Sequence, residues 1–178
     1  IKKQVHYSSN TGFGTIDYFD SSLTVGSLDL GGNDAYEDFD DMTAETAGSF
    51  AKLNVSLSRL QHLYRNLSSN ISVSGQIANK NLDTSQKFYL GGPYSVGGYP
   101  TGQAGGDDGA LLNADLRYDF YDLPWKGNLQ LSAFYSYGWT KLYKDPWEGW
   151  EGNNDFIKND IVLQSVGLTL TQTWSDTM

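Results

Sequence analysis

Phe88-Tyr-Leu-Gly-Gly-Pro-Tyr-Ser-Val-Gly-Gly-Tyr-Pro-Thr-Gly-Gln-Ala-Gly-Gly-Asp-Asp-Gly109 separates two segments in which apolar and polar residues alternate. Eight of the chain's 20 glycines fall between Gly91 and Gly109, so the backbone here can reach positive φ and let neighbouring groups come close. Yet Tyr94, Val96 and Tyr99 are bulky, and a solvated linker has no use for them. A loop longer than about 15 residues with such anchors is expected to pack on something or to carry function.

On both sides of this loop the period is two residues, that of a strand. Downstream, residues 110–120 set Leu112, Ala114, Leu116, Tyr118 and Phe120 against Asn113, Asp115, Arg117 and Asp119. Residues 128–138 set Leu129, Leu131, Ala133, Tyr135 and Tyr137 against Gln130, Ser132, Phe134 and Ser136, and residues 161–174 set Val162, Val166, Leu168 and Leu170 against Ser165, Thr169 and Thr171. Upstream, residues 4–8, 16–29, 50–60 and 67–79 read the same way, the second least cleanly. The connections run alternately short (9–14, 61–66, 121–127) and long (30–47, 80–109, 141–158). That rule is expected of antiparallel strands crossing a bilayer, with tight periplasmic turns and large outer loops, and segments of about 9 to 11 residues match a tilted membrane strand. The expected fold is therefore all-β, an antiparallel transmembrane β-barrel. An open sheet in lipid leaves unpaired N–H and C=O groups at its edges, so these about seven strands need partners.

The loop and its flanks carry a family likeness. Leu90-Gly-Gly-Pro-Tyr-Ser-Val-Gly-Gly-Tyr-Pro, then Gly-Asp-Asp-Gly and Asn113-Ala-Asp-Leu-Arg-Tyr, resemble the sixth extracellular loop of two-partner secretion transporters, the haemolysin secretion/activation proteins. The resemblance implies a bacterial outer-membrane barrel of about sixteen strands. It also implies that the loop folds back into the lumen, with a Val-Arg-Gly-Tyr tetrad at its tip. Here the tetrad positions are Val96, Gly97, Gly98 and Tyr99, with Gly97 where the family has Arg, and Leu90, Gly91 and Gly92 form the loop base. In the family the loop Arg meets an Asp in a Phe-x-Asp-x-Gly motif on the facing wall. The matching residues are Phe134, Ser136 and Gly138, so both ends of one ion pair are replaced together. Removing one member of a buried pair costs about 3–5 kcal/mol, whereas replacing both can be nearly neutral. The loop is therefore still expected in the lumen, held by Val96, Tyr99 and backbone hydrogen bonds, with Gly97 near Ser136. Asn113, Asp115, Arg117 and Asp119 are expected to line that lumen.

By the same resemblance, residues 1–178 form a partial barrel with its lumen loop at 80–109. Ile1 opens inside a strand-like pattern and Met178 follows no terminal aromatic strand, so the periplasmic domains and last strands are expected to lie outside this chain. The implied function is a pore that exports a large partner exoprotein, an adhesin, haemolysin or toxin, across the outer membrane. Two other readings stand beside it: an insertase that assembles other barrels, and a small soluble binding barrel or sandwich with the leucines in its own core.

Composition narrows the field further. A net charge of −9 argues against nucleic acid, whose phosphates need clustered Lys and Arg. Mean hydropathy is −0.46 and no apolar run reaches about 18 residues, so no transmembrane helix is expected, while alternating barrel strands average out as polar. No Cys, no triad setting for either His and no phosphate-binding motif at the Gly-rich loop argue against an enzyme, and neither cofactor nor metal is expected. Residues 31–45 hold six acids, but not at the spacing of a calcium loop, and they read as a solvated acidic loop. His62 lacks ligands at metal spacing. Trp147 and Trp150, beside Asp145, Glu148 and Glu151, could form a sugar platform, but rim or loop packing is the simpler expectation.

Overall fold

The computed structural model describes residues 2–10, 14–32, 34–121, 127–152 and 157–174. In chain order these form β1 (Lys2–Asn10), β2 (Thr15–Leu28), α1 (Asp34–Asp41), β3 (Gly48–Tyr64), β4 (Leu67–Ala78), β5 (Phe88–Leu90), β6 (Ala104–Gly106), β7 (Asp108–Phe120), β8 (Gly127–Lys141) and β9 (Asp160–Trp174). A seven-stranded sheet takes the order β1-β2-β3-β4-β7-β8-β9, every neighbour antiparallel, and β5 pairs with β6 apart from it.

The alternation sets the register. Phe19 lies opposite Leu57, Leu57 opposite Val73, Val73 opposite Leu112 and Leu112 opposite Tyr137, so one row of apolar side chains crosses five strands on one face. The adjacent row on the other face runs Tyr18, Ser58, Ser72, Asn113, Ser136, Ser165. A slip of one residue would exchange the two faces, which is why a two-faced sheet holds its register. The apolar face is uncovered: Val166 is 81% exposed, Leu168 75% and Val5 61%. A sandwich in water would bury these side chains against a second sheet.

Two connections differ from expectation. β3 runs on to Tyr64 through a bulge between His62 and Tyr64, and the expected connection at 61–66 contracts to a turn at Arg65 and Asn66, with Arg65 at φ 48°. Propensity misjudged it because Gln61 and His62 are weak strand formers, held here by pairing with Ser69 and Ser68. The acidic loop at 30–47 contains α1, clamped at its C-terminal end by Asp40. That carboxylate accepts from Thr46 Oγ1 at 2.7 Å and Ala47 N at 2.8 Å. Burial alone would raise the Asp40 pKa, but these hydrogen bonds outweigh it and hold the group below the ordinary aspartate value. The strands of the seven-stranded sheet, 9 to 17 residues long, also outrun the expected 9 to 11, because paired strands continue past the span of a bilayer.

Candidate functional site

The Gly-rich loop does not hang free. β5 and β6 carry it as a hairpin across the polar face of the main sheet, and its tip closes with hydrogen bonds from Gly92 N to Tyr99 O at 3.0 Å and Ser95 N to Gly92 O at 3.1 Å. Gly91 and Gly92 turn the chain at φ 99° and 97°, a region L side chains avoid. Leu90 and Val96 are fully buried, in a cluster with Ala104 and Leu163 that is flanked by Phe88, Tyr99, Leu111 and Ile161.

The wall beneath is shaped to receive them. Leu111, Gly138 and Leu163 lie side by side on β7, β8 and β9. A Cβ at Gly138 would stand 2.9 Å from Leu90 Cδ1 and from Val96 Cγ2, so the missing side chain is the notch in which the loop sits. Leu111, Ile161 and Leu163 break the alternation by placing apolar side chains on the polar face. That break was a signal in the sequence for the docking patch.

Gly97 lies over the same wall: a Cβ there would be 3.7 Å from the Phe134 ring and 4.0 Å from Ser165 Oγ. Phe134 faces Gly167 across the strands and lies over it, while Ser136 is buried opposite Ser165, whose Oγ finds no hydrogen-bond partner among the described residues. Gly97, Gly98, Phe134 and Ser136, with Asn113, Asp115 and Arg117, line one hollow of about 540 Å³ under the loop tip. Arg117 Nη2 stands 3.8 Å from Asp115. Asp119 lies outside this hollow, near the short-turn end, and accepts from Gln130 Nε2 at 2.8 Å. Tyr94 corrects an expectation: at 96% exposure it is no anchor, and Leu90 and Val96 do the packing.

A second constellation was not foreseen. Asp107 is fully buried and its carboxylate accepts from Leu82 N at 3.1 Å and Lys144 N at 2.8 Å, with Lys87 Nζ at 2.8 Å. Asp108 accepts from Ala78 N at 2.8 Å and pairs with Lys144 Nζ at 2.7 Å. Lys87 also donates to Leu142 O at 2.6 Å and sits over the Tyr143 ring. Asn81 completes the knot, donating to Ala44 O and to Asp145 O and accepting from Asp145 N. Residues from all three long connections meet here. The paired acids before Gly109 were visible, but Lys87 and Lys144 are too far away in sequence for spacing to link them. Trp147 and Trp150 pack edge-on against Tyr143, as loop packing rather than an open platform.

A family model described as haemolysin secretion/activation protein ShlB/FhaC/HecB matches residues 4–153. The chain belongs to this family. It is 34% identical over 158 residues to the heme/hemopexin transporter protein HuxB of Haemophilus influenzae strain 86-028NP, covering 86% of this chain and 26% of that protein. To HuxB of strain ATCC 51907 / DSM 11121 / KW20 / Rd it is 36% identical over 126 residues, covering 68% and 21%. It thus spans about a quarter of the length of the curated relatives it matches. Among solved structures, CdiB from Escherichia coli shares the fold, with a TM-score of 0.73 at 19% identity over 97% of this chain and 30% of that one. Haemolysin secretion/activation proteins are outer-membrane β-barrels, and the seven-stranded antiparallel sheet is a stretch of barrel wall.

Proposed function

We propose that this chain is the stretch of pore wall that carries the lumen loop of an outer-membrane transporter, through which a secreted partner exoprotein leaves the cell in extended form. The observation that carries the reading is the seat of Leu90 and Val96 on the Gly138 notch, on the polar face of a sheet whose other face is apolar and uncovered. A loop docked there occupies the lumen and has to yield when a polypeptide passes. In this reading Asn113, Asp115, Arg117 and Asp119 wet the path, and Val96, Gly97, Gly98 and Tyr99 form the movable tip. Phe134, Ser136 and Gly138 form the wall that receives it, and the strands and periplasmic domains that complete the transporter lie outside residues 1–178.

The test uses the whole transporter with the protein encoded beside its gene. Gly138→Leu, which fills the notch, is expected to raise single-channel conductance in planar bilayers and to lower export of the partner at unchanged barrel assembly. Unchanged conductance and export would remove the loop from the mechanism. Assembly defects in other barrels, with export intact, would favour the insertase reading.

A further inference from the structure

The apolar face carries a bidentate ion pair between β2 and β3. Arg59 Nε and Nη2 donate to the two oxygens of Asp17 at 2.7 and 3.1 Å, a bidentate pair that uses two of the five guanidinium N–H donors. The pair belongs to the lipid-side row, since Asp17 lies opposite Arg59 and Arg59 opposite Ile71. It stands two residues from the last β2–β3 pair, Thr15 with Gln61, hence about 7 Å from where β2 enters the sheet at its short-turn end, while β3 runs on five residues past Arg59 to Tyr64. Short turns mark the periplasmic side of a barrel, and charge on the lipid face is tolerated near the interface but not at mid-bilayer. Beside the pair, Phe19, Leu57, Ile71 and Val73 wall a groove of about 430 Å³ running into the apolar belt.

We propose that this groove holds one glycerophospholipid of the inner leaflet with an ethanolamine headgroup, an acyl chain along Leu57 and Val73, the phosphate on Arg59 and the ammonium on Asp17. This rests on the membrane-spanning reading above and adds a specific ligand to it. The charge pattern selects the class: the pair is neutral as a whole, so it has no net attraction for an anionic lipid, but it presents a cation and an anion side by side. A phosphoethanolamine head presents the complementary two charges with N–H donors. A choline head has no N–H to donate, and a glycerol head has no cation. Arg59 has a side chain 58% exposed and stays accessible, while Asp17 at 25% is held by it.

The experiment is native mass spectrometry of the whole, delipidated transporter given equal amounts of phosphatidylethanolamine, phosphatidylcholine and phosphatidylglycerol. One phosphatidylethanolamine is expected to survive activation, and Arg59→Gln or Asp17→Asn is expected to weaken its retention about tenfold, the order of one charge-assisted hydrogen bond. Leu57→Trp, which fills the groove and leaves the pair intact, is expected to weaken it as well, and guards against a charge variant that fails to fold. Equal retention of the three lipids, or retention untouched by Arg59→Gln, overturns the site. Retention lost in Arg59→Gln but kept in Leu57→Trp overturns the groove. Export of the partner by the Arg59→Gln protein is read alongside: intact export with unchanged lipid sinks this site alone, whereas a chain that needs no detergent sinks the membrane reading beneath it.

Discussion

Gly138 and Gly97 divide the work of the loop between them, one by leaving space and the other by declining to fill it. Because Leu90 and Val96 already occupy the notch, a larger residue at 138 overpacks the wall, at a cost of about 1–3 kcal/mol to the docked state. Leu90→Ala removes the buried anchor from the other side and is expected to cost about 2–5 kcal/mol. Either should speed labelling of a cysteine placed at Ser95 in the folded protein. Gly97 has no such crowding: a Cβ there meets its nearest neighbours at ordinary contact distance, so the backbone of position 97 admits Gly97→Arg. Paired with Ser136→Asp it should tighten the loop, while each single change leaves a charge without its partner. A double-mutant cycle on Ser95 labelling is expected to show favourable coupling of about 0.5–3 kcal/mol; additive singles would mean that positions 97 and 136 do not meet.

Among the elements, the long connections are tied by Asp107, Asp108, Lys87 and Lys144 rather than left loose. Truncating one member of a buried pair strands the other charge, so Asp107→Ala is expected to loosen the outer loops by about 3–5 kcal/mol and to expose 142–152 to protease. Asp40 adds a pH dependence with a definite sign. Its folded pKa lies below its unfolded one, so its support for the α1 loop is present above the unfolded aspartate value, about 3.9, and is lost as pH falls through the folded value. The protection of the Ala47 amide against exchange, corrected for intrinsic rate, should fall below about pH 4, and Asp40→Asn should abolish that step. The same elements show what a sequence reveals. Residues 110–120 declare a strand because the nine from Leu112 to Phe120 alternate without interruption, and the other wall strands were legible from the same period, residues 16–29 least cleanly. β5 and β6, at three residues each, are too short to show a period, and α1 hides among acids that read equally well as solvated loop. The Asp107 knot depends on contacts across 20 to 37 residues of sequence, which no local pattern encodes.

For the molecule as a whole, the account rests on which face of one sheet meets lipid. Leu57, Leu112 and Val166 project from the apolar face, Ser72, Asn113 and Ser136 from the other, and residues 1–178 contain no cysteine. Single cysteines can therefore be introduced one at a time, labelled with a fluorophore, and the whole transporter placed in bilayers containing a quencher confined to the acyl chains or, separately, one confined to water. Labels at Leu57 and Val166 should be quenched from the lipid and those at Ser72 and Asn113 from water. Quenching from water at all four positions, or the opposite assignment of the two faces, would contradict it.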